Sequence, residues 1–265
     1  MILFVNWEMR TSAPMLPMRF FRNRVFAAGG LASLMVYSAL FGSLFLISQL
    51  LQVGLGATPL QAGLHTLPMA VMPMLFAPVG GVVADRVGFR PLMICGVAME
   101  AIALGWLAAA VTPTVSYGLL VPPLVLAGLG NAVFFAPLAG AMLSAVAAQE
   151  RGQASGAATA IRELAAVFGV AVLGLVFAGH GGYASRADFV GGFVPAMWLA
   201  AGLAALGVLA AVALPRARRP PRSSGTAARG LTDPPAEWEN EPRGAVPAGA
   251  AGRAGDAHSN RRAGP

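Results

Sequence analysis

The chain has 265 residues, of which 57% are hydrophobic and 11% are charged. A mean hydropathy of +0.68 excludes an ordinary water-soluble globular protein and indicates a polytopic membrane protein. The net charge is +7, but nine of the eighteen arginines follow residue 215, which argues against a nucleic-acid-binding face and predicts contact with lipid headgroups.

Residues 1–24 are predicted to be a cytoplasmic linker that leads into the membrane. The apolar start, Met1–Trp7, is too short for a signal peptide and has no basic leading segment, so we expect it to be the end of a helix that began upstream. Four arginines then accompany Phe20 and Phe21, a pattern typical of a chain that approaches the membrane interface.

Six apolar runs follow, each close to the roughly 20 residues that a helix needs to cross a bilayer. The first two are separated by Gly54–Pro59, an uncharged segment with the breakers of a hairpin turn. The pattern predicts an all-α transmembrane domain over residues 25–214. Its spans are predicted as Val25–Val53, Leu60–Ala84, Pro91–Val111, Val115–Ala147, Ala154–Ala178 and Gly191–Leu214.

Arginines predict the orientation of these spans. The segments before the first span, between the second and third, between the fourth and fifth, and after the sixth together hold eleven arginines, whereas the opposite side holds only Arg186. Positive charge favours the cytoplasmic side, so both termini are expected in the cytoplasm of a multi-pass protein of the cell membrane.

Residues 215–265 differ in composition from everything before them. They are rich in Gly, Ala, Pro, Ser and scattered charge, which cannot build an apolar core. We therefore predict a disordered cytoplasmic tail, whose arginines next to the membrane are held by anionic lipid.

The segment between the second and third spans holds the first charges after a long apolar stretch. No Asp, Glu, Lys or Arg occurs from Val25 to Ala84. Asp85 is expected to cap, or to face, the positive end of the next helix, and Arg90 is expected to meet lipid phosphate. The pattern G-x-x-x-D-R-x-G-x-R is formed by Gly81, Asp85, Arg86, Gly88 and Arg90. It resembles the gating loop between the second and third helices of a six-helix repeat in the major facilitator superfamily.

Other segments extend this resemblance to the fourteen-span drug:proton antiporters of that superfamily. They are Thr58–Pro68, Gly128–Pro137, Arg151–Gly156, and the later Arg162, Gly169 and Gly174. The resemblance implies the C-terminal six-span half of a major facilitator fold, whose partner is a missing N-terminal half. It also implies export of hydrophobic small molecules against protons, although the Gly-Pro motif of the antiporters lies outside this chain.

Ionisable and polar residues inside the spans are the candidates for the transport pathway. Glu100 is expected to face an aqueous cavity, to find a partner or to stay protonated, because a bare charge in hydrocarbon is unfavourable. Asn131 either binds substrate or bridges helices, and Arg162 either lines an inner vestibule or snorkels to the interface. Glu163 neighbours Arg162, so we expect the two side chains on different faces of a helix. Glu100 and Glu163 both depart from the family pattern, which has an uncharged helix and a neutral Gln at these places.

Two functions remain open at this stage. One is a secondary transporter or part of one, and the other is a six-span protein without transport activity of its own, either a remnant or an accessory that pairs with another chain. An enzyme is not indicated, because the sequence shows no nucleophile and base pair, no metal-ligand spacing and no phosphate-binding loop. No cofactor or metal is predicted, and the single Cys95 is expected to be a buried thiol.

Overall fold

The computed structural model describes residues 24–144 and 146–212. This part contains six long α-helices and no strand, which confirms the predicted all-α class. The predicted tail and nearly all of the predicted linker lie outside the described residues. The helices are α1 Arg24–Gln49, α2 Pro59–Val87, α3 Phe89–Ala110, α4 Tyr117–Ser144, α5 Arg151–His180 and α6 Arg186–Val212.

The boundaries of the helices follow the expected local signals. α1 is extended by one π-helical turn, Leu50–Gly54, and the hairpin turn comes next. α2 begins with a capping box in which Thr58 Oγ1 accepts from the Gln61 amide and Gln61 Oε1 accepts from the Thr58 amide at 2.9 Å. Pro59 occupies the first turn, where its missing N–H is not needed.

The contacts between the helices follow a two-fold repeat. α1 packs against α5 and α6, α4 packs against α2 and α3, and α3 also packs against α6. If α1, α2 and α3 are exchanged for α4, α5 and α6, the contacts of α1 become the contacts of α4, and the contact of α3 with α6 becomes itself. Such a pattern is typical of two three-helix units related by a pseudo-two-fold axis in the membrane plane.

Two equivalent helix pairs approach each other closely through glycine. Between α1 and α5, a Cβ built on Gly42 would lie 2.7 Å from the carbonyl oxygen of Gly169. Between α4 and α2, a Cβ built on Gly128 would lie 2.5 Å from the carbonyl oxygen of Met69. Helices in a membrane associate by such close packing, since lipid gives no hydrophobic force between them.

α2 and α5 are the least buried helices of the bundle. The share of the apolar stretch that is buried inside the bundle is 17% for α2 and 22% for α5, against 44–56% for the other four helices. The two helices hold the same position in the two three-helix units, which explains why both are exposed. Their outward side chains include Leu64, Met74, Leu75, Val79, Leu164, Val167 and Leu175. Cys95 is also exposed, on the outer side of α3, so the prediction of a buried thiol is wrong.

The charged segment that was expected between the second and third spans does not form a loop. α2 continues through Val87, and α3 begins at Phe89, so that Gly88 alone separates the two helices. Gly88 has φ +93°, a conformation that a residue with a side chain rarely adopts, which explains a glycine at this place. Gly88 also holds the N-cap position of α3, and Asp85 belongs to the last turn of α2.

Arg90 has a protein partner where lipid phosphate was expected. Its Nη2 donates to the carbonyl oxygen of Val212 in the last turn of α6. Carbonyl groups in the last turn of a helix have no acceptor role within it and carry the negative end of the helix dipole, so a guanidinium is a favourable partner. Arg90 therefore ties the start of α3 to the end of α6.

Candidate functional site

A cavity of about 150 Å³ lies between α1, α4 and α5 and is open on one side. All three helices are apolar over most of their length, but this cavity gathers several of their polar groups. Its walls include Ser33 and Tyr37 from α1, Phe135 and Met142 from α4, and Thr159 and Arg162 from α5. An apolar pocket with a few converging polar groups is the usual form of a small-molecule site.

Stacked aromatic rings form one wall of this cavity. The ring of Tyr37 stacks on Phe135 with centroids 5.1 Å apart and planes 12° apart, and it stacks on Phe41 at 6.2 Å. Rings held in this way present a flat apolar surface against which another planar group can pack.

Arg162 and Glu163 are paired, although their positions on α5 predicted different faces. Arg162 Nη2 lies 2.9 Å from Glu163 Oε1, and Nε donates to the same oxygen at 3.3 Å. The backbone directions do diverge, but both side chains are long enough to curve back towards each other. Arg162 is one of the residues that line the cavity, and its charge is balanced by a neighbour on the same helix.

Glu100 is buried in the bundle without a partner. Its side chain is 1% exposed, and neither carboxyl oxygen has a hydrogen-bond partner. Beside it, α3 and α4 almost touch, since a Cβ on Gly130 would lie 2.9 Å from the Glu100 amide nitrogen and 2.7 Å from the Gly96 carbonyl oxygen. A partner residue, one of the expected alternatives, is therefore absent among the described residues. A buried carboxyl without partners is costly when it is charged.

Asn131 follows Gly130 on α4 and is likewise buried, with 2% of its surface exposed. Its Oδ1 has no hydrogen-bond partner, so within the described residues this oxygen does not bridge helices as one alternative proposed. Unpartnered oxygens of Asn131 and Glu100 thus occur in adjoining parts of α3 and α4. Buried polar atoms in natural proteins are normally satisfied, and exceptions are concentrated at places with a function.

The predicted residues thus fall into three places. Arg162 lines the cavity and pairs with Glu163, and Glu100 and Asn131 lie at the contact of α3 with α4. The third place is the end of α2 and the start of α3, which hold Gly81, Asp85, Arg86, Gly88 and Arg90. Tyr37 and Phe135 were not among the residues predicted for the site. A signal was present, because Tyr37 is the single tyrosine in the otherwise apolar first span.

Comparisons with known proteins agree with this architecture. A model described as the Major Facilitator Superfamily matches residues 26–253. The multidrug resistance protein Stp of Mycobacterium tuberculosis is 34% identical over 176 residues, which cover 66% of this chain and 32% of Stp.

Two further relatives carry similar names. The multidrug export protein EmrB of Escherichia coli is 29% identical over 168 residues, which cover 63% of this chain and 33% of EmrB. The multidrug efflux pump LfrA of Mycolicibacterium smegmatis is 34% identical over 194 residues, which cover 73% of this chain and 38% of LfrA. The chain thus spans about a third of the length of the curated relatives that it matches.

Proposed function

The chain belongs to the major facilitator superfamily, and from this premise we propose that it forms one six-helix wall of a secondary transporter. It is a multi-pass membrane protein with six helices of sufficient length and apolar character to cross a bilayer. The proposed activity is the export of hydrophobic small molecules in exchange for protons. Membership in a transporter family, and relatives named for resistance, export and efflux, support this activity over an enzymatic one.

The observation that carries the proposal is the cavity between α1, α4 and α5. Three helices without charge over most of their length bring the hydroxyls of Tyr37 and Thr159 and the guanidinium of Arg162 to one place. The lining of the cavity extends from the predicted cytoplasmic ends of α1, α4 and α5 towards the midplane, where transporters built from such repeats bind substrate. A stacked aromatic wall with a few polar groups fits an aromatic or otherwise hydrophobic substrate.

Glu100 is proposed as the proton carrier. A carboxyl that is 1% exposed and has no hydrogen-bond partner favours its neutral form in a closed bundle and its charged form when water reaches it. α4 packs against the backbone of Glu100 at Gly130 and lines the cavity at Phe135. A change at Glu100 would therefore act on the cavity through α4.

The segment from Gly81 to Arg90 is proposed as the gating element at the cytoplasmic edge of the cell membrane. The arginine distribution supports this orientation, with both termini in the cytoplasm. Gly88 joins α2 to α3 without a loop, and Arg90 connects α3 to α6, so a movement of α2 is transmitted directly to two other helices. Asp85 and Arg86 lie in the last turn of α2 and would move with it.

A second six-helix half is proposed as the partner of this chain. α2 and α5 leave most of their apolar stretch outside the bundle, and α5 also lines the cavity. Alternating access in this kind of fold is the rocking of one half against the other around a site between them. A partner half would cover these helices and close the cavity.

Reconstitution into liposomes tests the proposal. The chain alone and the chain co-expressed with the N-terminal segment of a relative such as LfrA are compared for dye movement under an imposed pH gradient. We expect pH-driven transport by the pair and none by the chain alone. Transport by the chain alone would overturn the partner proposal in favour of a homodimer. A stable pair without transport would favour the alternative, a six-span protein with no transport activity of its own.

A further inference from the structure

Glu163 is the anion that pairs with Arg162, the one cation among the residues that line the cavity. The described parts of α1 and α4 carry no acidic residue, and α5 carries Glu163 alone. Among the lining residues, Arg162 is the charged one. The charge that a bound molecule meets in this cavity therefore depends on whether Arg162 is balanced.

The geometry of the pair shows how the balance is achieved. A single carboxylate oxygen, Oε1 of Glu163, takes the hydrogen bonds of both Nε and Nη2 of Arg162. These two nitrogens form one of the two edges of a guanidinium through which a carboxylate or sulfonate of a ligand can make a two-point contact. Glu163 thus occupies one anion-binding edge of Arg162 from within the protein and also balances its charge.

We propose that Glu163 sets the charge selectivity of the cavity by acting as a built-in competitor for Arg162. The site then accepts neutral or cationic aromatic molecules and discriminates against aromatic anions. This inference rests on the proposed function only in placing the ligand in the same cavity, and it concerns binding rather than transport. Side chains of Arg162 and Glu163 are 44% and 65% exposed, so the pair can open without unfolding the bundle.

A matched pair of ligands makes the test specific. Anilinonaphthalene sulfonate and phenylnaphthylamine share one aromatic skeleton, and only the first carries a sulfonate. Both become fluorescent in an apolar site, so their affinities for the full chain in lipid nanodiscs can be measured after subtraction of protein-free nanodiscs. The ratio of the two affinities reports charge selectivity and cancels most of the apolar contribution that the two ligands share.

Substitution of Glu163 should change this ratio through Arg162. In Glu163→Gln, we expect affinity for the sulfonate to rise about fivefold, the scale of one exposed ion pair, with phenylnaphthylamine unchanged. Glu163→Asp keeps the carboxylate and should keep most of the discrimination. Removal of both charges, in Arg162→Gln with Glu163→Gln, should return sulfonate affinity to the wild-type value or below.

Glu150→Gln provides the control for net charge, because it removes one negative charge next to α5 but outside the cavity lining. It should leave the ratio unchanged. The proposal is overturned if Glu163→Gln leaves the ratio unchanged, if Glu150→Gln raises it equally, or if the rise persists without Arg162. Because no transport is measured, loss of export activity and loss of selectivity are separate outcomes.

Discussion

The close crossing of α1 and α5 allows a quantitative test of the packing. A Cβ built on Gly169 would lie 2.7 Å from Ser38 Cα and would also overlap the Ser38 carbonyl oxygen. These are backbone atoms, so no side chain can rotate away to make room. Gly169→Ala must therefore push α5 away from α1.

Three terms determine the expected change in the free energy of unfolding. Overpacking of a tight contact costs about 1–3 kcal/mol. Separation of the helices also strains the hydrogen bond from Ser38 Oγ to the Ala165 carbonyl oxygen, now 3.0 Å, which contributes about 0.5–1.5 kcal/mol. The greater helix propensity of alanine offsets about 1 kcal/mol of this. The net effect is a destabilisation of about 0.5–3.5 kcal/mol.

Thermal unfolding of the detergent-solubilised chain, followed by tryptophan fluorescence, measures this effect. Each 1 kcal/mol lowers Tm by about 2–4 °C for a domain of this size, so Gly169→Ala should unfold several degrees below the wild type. Gly174→Ala is the matched control, since it makes the same substitution on the same helix where nothing lies within 4 Å of the new Cβ. Equal Tm values for the two variants would show that α1 and α5 do not cross at Gly169.

The remaining predictions concern gating and orientation. Asp85→Asn in the assembled transporter should reduce turnover at least severalfold with little change in substrate affinity, because none of the described residues of α2 lines the cavity. Equal losses of affinity and turnover in direct binding and flux measurements would contradict this. In a Cys95→Ser background, a cysteine at residue 185 should react with an impermeant maleimide from outside intact cells, whereas one at residue 87 should not. The reverse labelling pattern would invert the proposed orientation.

The sequence predicted the six helices because their signals are local. Length, apolar character and breakers such as Pro59 and Gly88 are read residue by residue, and the observed ends differ from the predicted ones by a few residues. The predicted loop over 85–90 was too long because a charged residue can occupy the last turn of a helix as well as a loop. The positive φ of Gly88 shows where the chain turns from α2 into α3.

The composition of the site depends on which helices meet, and this is not a local property. The cavity needs α1, α4 and α5 side by side, so the stacking of Tyr37 on Phe135 joins residues almost a hundred positions apart. Arg90 was assigned to lipid because its contact with Val212 depends on the packing of α3 against α6. The pairing of Arg162 with Glu163 was missed for another reason, namely the reach of two flexible side chains.

Glu100 and Glu163 were both singled out as carboxylates where such transporters have neutral residues, and the structure separates them into opposite environments. Glu100 is 1% exposed without a partner, whereas the Glu163 side chain is 65% exposed and paired with a cation. When a carboxylate that is paired near water is protonated, it loses its ion pair. A buried carboxyl can gain or lose a proton only when water reaches it. The two residues should therefore act on different properties.

The expected result is a double dissociation. Glu100→Gln should abolish pH-driven export by the assembled transporter and leave the ratio of sulfonate to neutral-ligand affinity unchanged. Glu163→Gln should change that ratio and retain a dependence of export on the pH gradient. Flux and binding measured on the same preparations distinguish these cases. If Glu100→Gln kept its pH-driven export, the unpartnered carboxyl would be a structural feature of the α3–α4 contact, and the proton would have to be carried by a residue of the other half.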